Sequence, residues 1–143
     1  MQTSSLSPSQ VRLIETAMLS GPVVFAVIVG FLTAGDPNPV APDFPEFLPL
    51  GFAVFAVAAL PIAFVLHRSL LSGGRDRMRL GVQRIAARFV SMAVLEAAML
   101  SNLVMWLLTR EQWPSAVAAV LPFVAGVAQA CLPIRADDAD AES

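Results

Sequence analysis

The chain has 143 residues, of which 57% are hydrophobic and only 14% charged, with a formal net charge of −2 and a mean hydropathy of +0.71. Soluble domains carry about 25% charged residues, and a domain of this size has too much surface to keep so many apolar side chains out of water. The balance of charge gives no reason to expect nucleic acid; one cysteine excludes an internal disulfide or cysteine cluster, and one histidine excludes a multi-histidine metal site.

The apolar residues come in long runs, the pattern of membrane spans of about 20 residues each. Residues 1–6 are polar. Ser7, Pro8 and Gln10 then read as a helix start, with Ser7 as N-cap, Pro8 at the first helical position and Gln10 closing a capping box. A first span is expected over about 11–33. Its apolar run is too long for a cleaved signal peptide, and no basic cluster leads it. Residues 35–46 form a loop with four prolines, holding Asp36, Asp43 and Glu46 and no arginine. A second span is expected over 47–66, kinked at Pro61.

Residues 67–81 are the basic connection, with Arg68, Arg75, Arg77 and Arg79 around a Ser-Gly-Gly turn at 72–74; Arg84 and Arg88 follow on the next helix. The excess of arginine assigns this connection to the cytoplasm. A third span over 82–109 crosses outward, and Trp106 and Trp113 mark its outer interface. The fourth span, 114–132, carries Pro122 inside it. An acidic tail, 134–143, closes the chain. The expected fold is all-α: a single membrane domain of four helices, with both termini cytoplasmic.

The first and third spans match each other. Residues 15–20, Glu-Thr-Ala-Met-Leu-Ser, align without a gap with residues 96–101, Glu-Ala-Ala-Met-Leu-Ser. Pro61 and Pro122 relate the second and fourth spans more weakly. The Glu-to-Pro spacing is longer in the first half by about the length of the Pro-rich loop. Two tandem hairpins related by a pseudo-two-fold axis along the membrane normal are therefore expected, with Glu15 and Glu96 at similar depths.

Glu96 and Glu15 are the candidate functional residues. An ionised side chain at the bilayer centre costs about 2.5–3.5 kcal/mol on insertion scales, so intramembrane acids face the bundle interior and often mark ion pathways. Glu96 reads as a proton- or cation-handling carboxylate, or as a structural acid bonded across helices or paired with Arg88 or Arg12. Glu15 reads the same way, with Arg12 one turn away on the same face. Ser20 and Ser101 are expected to bond their own backbone or a neighbouring helix. The small-residue rows Ala17/Gly21, Ala93/Ala97/Ser101 and Ala59/Ala63 let backbones approach closely. His67 reads as an interfacial residue beside Arg68 rather than a haem or metal ligand, and Cys131 as a buried apolar filler. Arg68, Arg75, Arg77, Arg79 and Arg84 read as contacts to anionic lipid headgroups, or to an acidic partner.

Leu95-Glu96-Ala97-Ala98, followed by Leu107-Leu108-Thr109, resembles the signature of a group of small bacterial four-span membrane proteins. In that group a Leu-Glu-small-small motif opens the third span and a Leu-Thr pair closes it. The likeness extends to the first span and to Pro133 and implies a bacterial inner-membrane location, but no activity. A second likeness, in size, doubling and a mid-membrane Glu, is to the proteolipid subunit c of rotary ATPases. This chain departs from it in lacking the glycine ladder of the first helix and in carrying its carboxylate on the first helix of each hairpin. No phosphate-binding loop, nucleophile elbow or catalytic triad is present, so neither an enzyme nor a cofactor is expected. The expected role is an accessory or scaffold subunit of a larger membrane complex; the alternative is an oligomeric proton or cation pathway through Glu96 and Glu15. The expected partners are the lipid bilayer and other membrane subunits or further copies of the chain.

Overall fold

The computed structural model describes residues 7–35, 40, 45, 47–72, 77–110 and 113–132. They form four helices: α1 (Pro8–Gly35), α2 (Phe47–Ser72), α3 (Arg77–Thr109) and α4 (Ser115–Cys131). No strand occurs among the described residues. The start of α1 is the expected capping box: Gln10 N–H donates to Ser7 Oγ at 3.3 Å, and Ser7 N–H donates to Gln10 Oε1 at 2.8 Å. Two orphan amides are thereby satisfied.

Three helices are long and apolar enough to cross a membrane, through the segments Pro8–Gly35, Phe47–Ser69 and Gln83–Thr109. α4 is as apolar but shorter, at 17 residues, or about 25 Å. The helices outrun the spans of 47–66 and 82–109 expected from the sequence. α2 continues to Ser72 and α3 begins at Arg77, so most of the basic connection is helical. Intrahelical hydrogen bonding is indifferent to the change from apolar to basic side chains, and arginine is a good helix former. Pro22, Pro61 and Pro122 all lie inside helices that run through them.

α3 is the hub. It packs against each of the other helices, and α4 also touches α1 and α2, whereas α1 and α2 do not meet among the described residues. The cross-section is a rhombus with α3 and α4 on the short diagonal. The two tandem hairpins thus pack differently: α3 and α4 lie side by side, while α1 and α2 stand at opposite corners. Only 11% of the spanning stretch of α1 is buried, against 44% for α3. The outward faces carry Val24, Phe31, Val54, Phe64 and Val124, each more than half exposed. A soluble monomer rarely shows so continuous an apolar surface; lipid tails solvate it.

Inside, alanine does the packing. Ala56 and Ala59 of α2, Ala98 of α3 and Ala118 of α4 form a buried cluster against Ala53 and Val94. Lipid provides no hydrophobic drive for helices to associate, so close backbone approach and the contacts it permits hold them together. Of the small-residue rows in the sequence, Ala59 and Ala63 are buried here. Ala17, Gly21, Ala93 and Ala97 are exposed.

The helix directions follow from contacts at the two ends of the bundle. Arg12, in the opening turns of α1, donates to the carbonyls of Ala130 and Leu132 at the end of α4. At the opposite end Arg110 Nη1 donates to Leu32 O at 2.6 Å, and Val40 N–H donates to Leu108 O at 3.0 Å. α1 and α3 therefore run parallel. The start of α1, the start of α3 and the end of α4 share one end of the bundle.

Candidate functional site

Near that shared end lies a buried polar cluster joining α1, α3 and α4. Arg88 Nε donates to Glu15 Oε1 at 2.7 Å, with side-chain exposures of 11% for Arg88 and 1% for Glu15. Arg88 Nη2 also donates to the backbone carbonyl of Gln129 at 3.0 Å. Gln129 reciprocates: its Nε2 donates to Arg88 O at 3.0 Å and to Ser91 Oγ at 2.7 Å. Ser91 Oγ in turn donates to Arg88 O at 2.9 Å. The guanidinium is thus held by a carboxylate from α1 and a carbonyl from α4, and each helix gives the other a charge-assisted or amide bond. The second carboxylate oxygen, Glu15 Oε2, is buried and has no partner among the described residues.

The pairing differs from the sequence expectation in two respects. Arg88 meets Glu15, not Glu96, because Glu96 lies eight residues further along the same helix, about 12 Å away. Arg12 does not pair with Glu15 either. It reaches the free carbonyls at the end of α4, where backbone acceptors and the negative end of the helix dipole both favour a cation.

The same register separates the two acids in depth. Glu15 lies level with Arg88, and Gly21 lies level with Glu96: a Cβ on Gly21 would stand 3.8 Å from Glu96 Oε1. Gly30 stands in the same way 3.8 Å from the Trp106 ring. Residues matched in the internal repeat are therefore displaced along the bundle, and Glu15 sits roughly 10 Å nearer the shared end than Glu96. Parallel helices settle their register by side-chain fit, and the Glu15–Arg88 pair joins α1 to α3 at this register.

Glu96 is half-buried at the seam between α1 and α3. It makes no hydrogen bond or ion pair among the described residues. It lies inside the spanning segment Gln83–Thr109, about 12 Å along α3 past Arg88 and about 20 Å before Thr109. Further out, Asn102 is fully buried and its Nδ2 donates to Phe52 O on α2 and to Ala98 O, both at 2.9 Å. Asn102 is thus the polar tie between α2 and α3. Ser20 and Ser101 bond their own backbones, at Ala17 O and Ala98 O. Between α1, α3 and α4 a cavity of about 430 Å³ is lined almost wholly by apolar side chains, among them Pro22, Met99, Leu103, Ala119 and Phe123.

Other sequence candidates resolve more simply. Cys131 is exposed at the end of α4, not a buried filler. Trp106 is half-buried against α1 with its Nε1 buried and unpartnered, so it is a packing residue; Trp113 is 71% exposed. His67 is half-buried, with Nδ1 buried and unpartnered, and no group of metal-ligating side chains occurs among the described residues. Arg68 is exposed and Arg84 half-buried; Arg77 and Arg79 lie on the first turn of α3, and Arg75 lies outside the described residues. Gln129 escaped the sequence reading. Its signal was available: it is the one amide side chain in the fourth apolar run.

Comparison of the chain with protein-family models, with curated proteins and with solved structures finds no match.

Proposed function

We propose that the protein is a non-catalytic accessory subunit, a small helical scaffold built into a larger complex of the bacterial inner membrane. What supports this reading is how its intramembrane polar groups are engaged. Glu15, Arg88, Ser91 and Gln129 tie α1, α3 and α4 together, and Asn102 ties α2 to α3. Among the described residues no hydrogen bond joins Glu96 to either set, and no relay of donors and acceptors runs through them along the bundle. An ion pathway needs such a relay or a wet cavity; a scaffold needs neither. In this reading the arginine-rich connection faces the cytoplasm together with both termini, and α4 completes a fourth crossing.

Purification from native membranes in a mild detergent tests the proposal. The chain is expected to migrate within a larger assembly of defined composition. Recovery as a free monomer under conditions that preserve other membrane complexes would overturn it.

A second reading, an oligomeric proton or cation pathway, rests on the unpaired Glu96 alone, since Glu15 is held by Arg88. Proton flux in proteoliposomes decides between them. Wild type and Glu96→Gln are both expected to be as tight as protein-free vesicles. Flux in the wild type that disappears in the variant would favour the pathway.

A further inference from the structure

We infer that Glu96 is the docking point for a membrane-spanning helix of a different protein, one that brings a basic side chain to the depth of Glu96. The inference deepens the accessory-subunit reading and rests on it.

Glu96 lies inside a spanning segment, two turns past Arg88, yet it has neither an ion pair nor a hydrogen bond among the described residues. A carboxylate at that depth calls for a cation or a strong donor. Its surroundings are shaped to admit one. Gly21, opposite it on α1, has no side chain to cover the carboxylate oxygen, which comes within 3.8 Å of where a Cβ would stand. Gly21 on α1 and Ala93 and Ala97 on α3 are all exposed at this surface, so a helix backbone can approach closely enough for a side chain to reach the carboxylate.

Charge complementarity identifies the occupant. The arginines near the spanning segments are engaged within the chain itself. Arg12 bonds the end of α4, Arg88 bonds Glu15 and Gln129, and Arg110 bonds Leu32 at the far end of the bundle. The exposed Arg68 sits near the end of α2, beyond the middle of the bilayer. Arg84, about three turns below Glu96, is engaged as well. Among the described residues a second copy therefore offers no cation at the level of Glu96. The partner is another chain, with an arginine or lysine at that depth in an otherwise apolar helix.

The test uses the full-length chain in lipid bilayers, labelled at Cys131 with a fluorescent donor. The probes are two leucine-rich transmembrane peptides carrying an acceptor, identical except for Arg or Leu at the depth of Glu96. The Arg peptide is expected to associate roughly tenfold more tightly than the Leu peptide. Glu96→Gln is expected to abolish that preference. Gly21→Leu is expected to do the same by covering the carboxylate, with an unchanged Glu15–Arg88 coupling showing that α1 and α3 stay packed. Glu96→Asp is expected to retain part of the preference. Equal association of the two peptides, or a preference that survives Glu96→Gln, would overturn the inference. So would energy transfer between two copies of the chain that Glu96→Gln abolishes, since the seam would then belong to a homo-oligomer. If the native complex forms but the peptides show no preference, the docking point is refuted and the accessory role stands. If the preference is found but the chain purifies alone from native membranes, the accessory role is refuted instead.

Discussion

Replacing Arg88 with methionine keeps most of the side-chain volume and removes the charge. Glu15, whose side chain is 1% exposed, is then left as a buried acid with nothing to receive it, and Gln129 O loses a donor. In soluble interiors, breaking such a pair from one side costs about 3–5 kcal/mol. Membrane proteins give smaller values, averaging about 0.6 kcal/mol per polar contact, because the unfolded chain in lipid finds substitute partners. Arg88 makes two contacts and its main partner is almost fully buried, so a loss of about 2–3 kcal/mol is expected. Glu15→Leu alone strands the guanidinium and is expected to cost about as much. The double variant Glu15→Leu/Arg88→Met removes both charges and fills the space with apolar atoms. It is expected to cost only about 1 kcal/mol, well short of the sum. Reversible unfolding in mixed detergent–SDS micelles, followed by far-UV circular dichroism, measures all four proteins of the cycle. Additive single costs, or a change below about 0.5 kcal/mol for Arg88→Met, would show that the pair does not hold α1 to α3.

Three further outcomes are expected. Asn102→Leu removes the tie to Phe52 O and is expected to lower stability by about 1 kcal/mol in the same unfolding assay, with no effect on the Glu15–Arg88 coupling. Gly126→Leu drives a side chain into Leu19, whose Cδ2 lies 2.9 Å from the position of a Cβ, with Met92 Sδ at 3.9 Å; a loss of about 1–3 kcal/mol is expected, and a neutral result would mean that the Leu19 side chain moves aside. The single, exposed Cys131 reports topology. An impermeant maleimide is expected to label it in inverted membrane vesicles and not in intact spheroplasts, and the reverse pattern would invert the proposed orientation.

Much of this architecture could be read directly along the chain. The capping box at Ser7 and Gln10, the spans beginning at Phe47 and ending at Thr109, and the arginine-rich end between α2 and α3 are local properties. Each depends on a residue and its near neighbours in sequence. The pairing of acids and bases was not legible in this way. Glu15 has Arg12 one turn away, and Arg88 has Glu96 two turns away, so sequence proximity favoured both wrong partners. The exposed rows at Ala17/Gly21 and Ala93/Ala97 look the same in sequence as the buried row at Ala59/Ala63, because a small residue permits close packing without specifying a partner.

What the chain alone determined was how many apolar helices there are, roughly which stretches they occupy, and which end of the bundle is basic. Hydropathy, helix capping and charge clustering act over one or two turns and need no knowledge of neighbours. Only the tertiary structure decided that α3 is the hub, that α1 and α2 stand apart, and that Glu15 is neutralised while Glu96 is left open at a seam. Those outcomes depend on the register between helices, and in lipid that register is set by side-chain fit across surfaces distant in sequence.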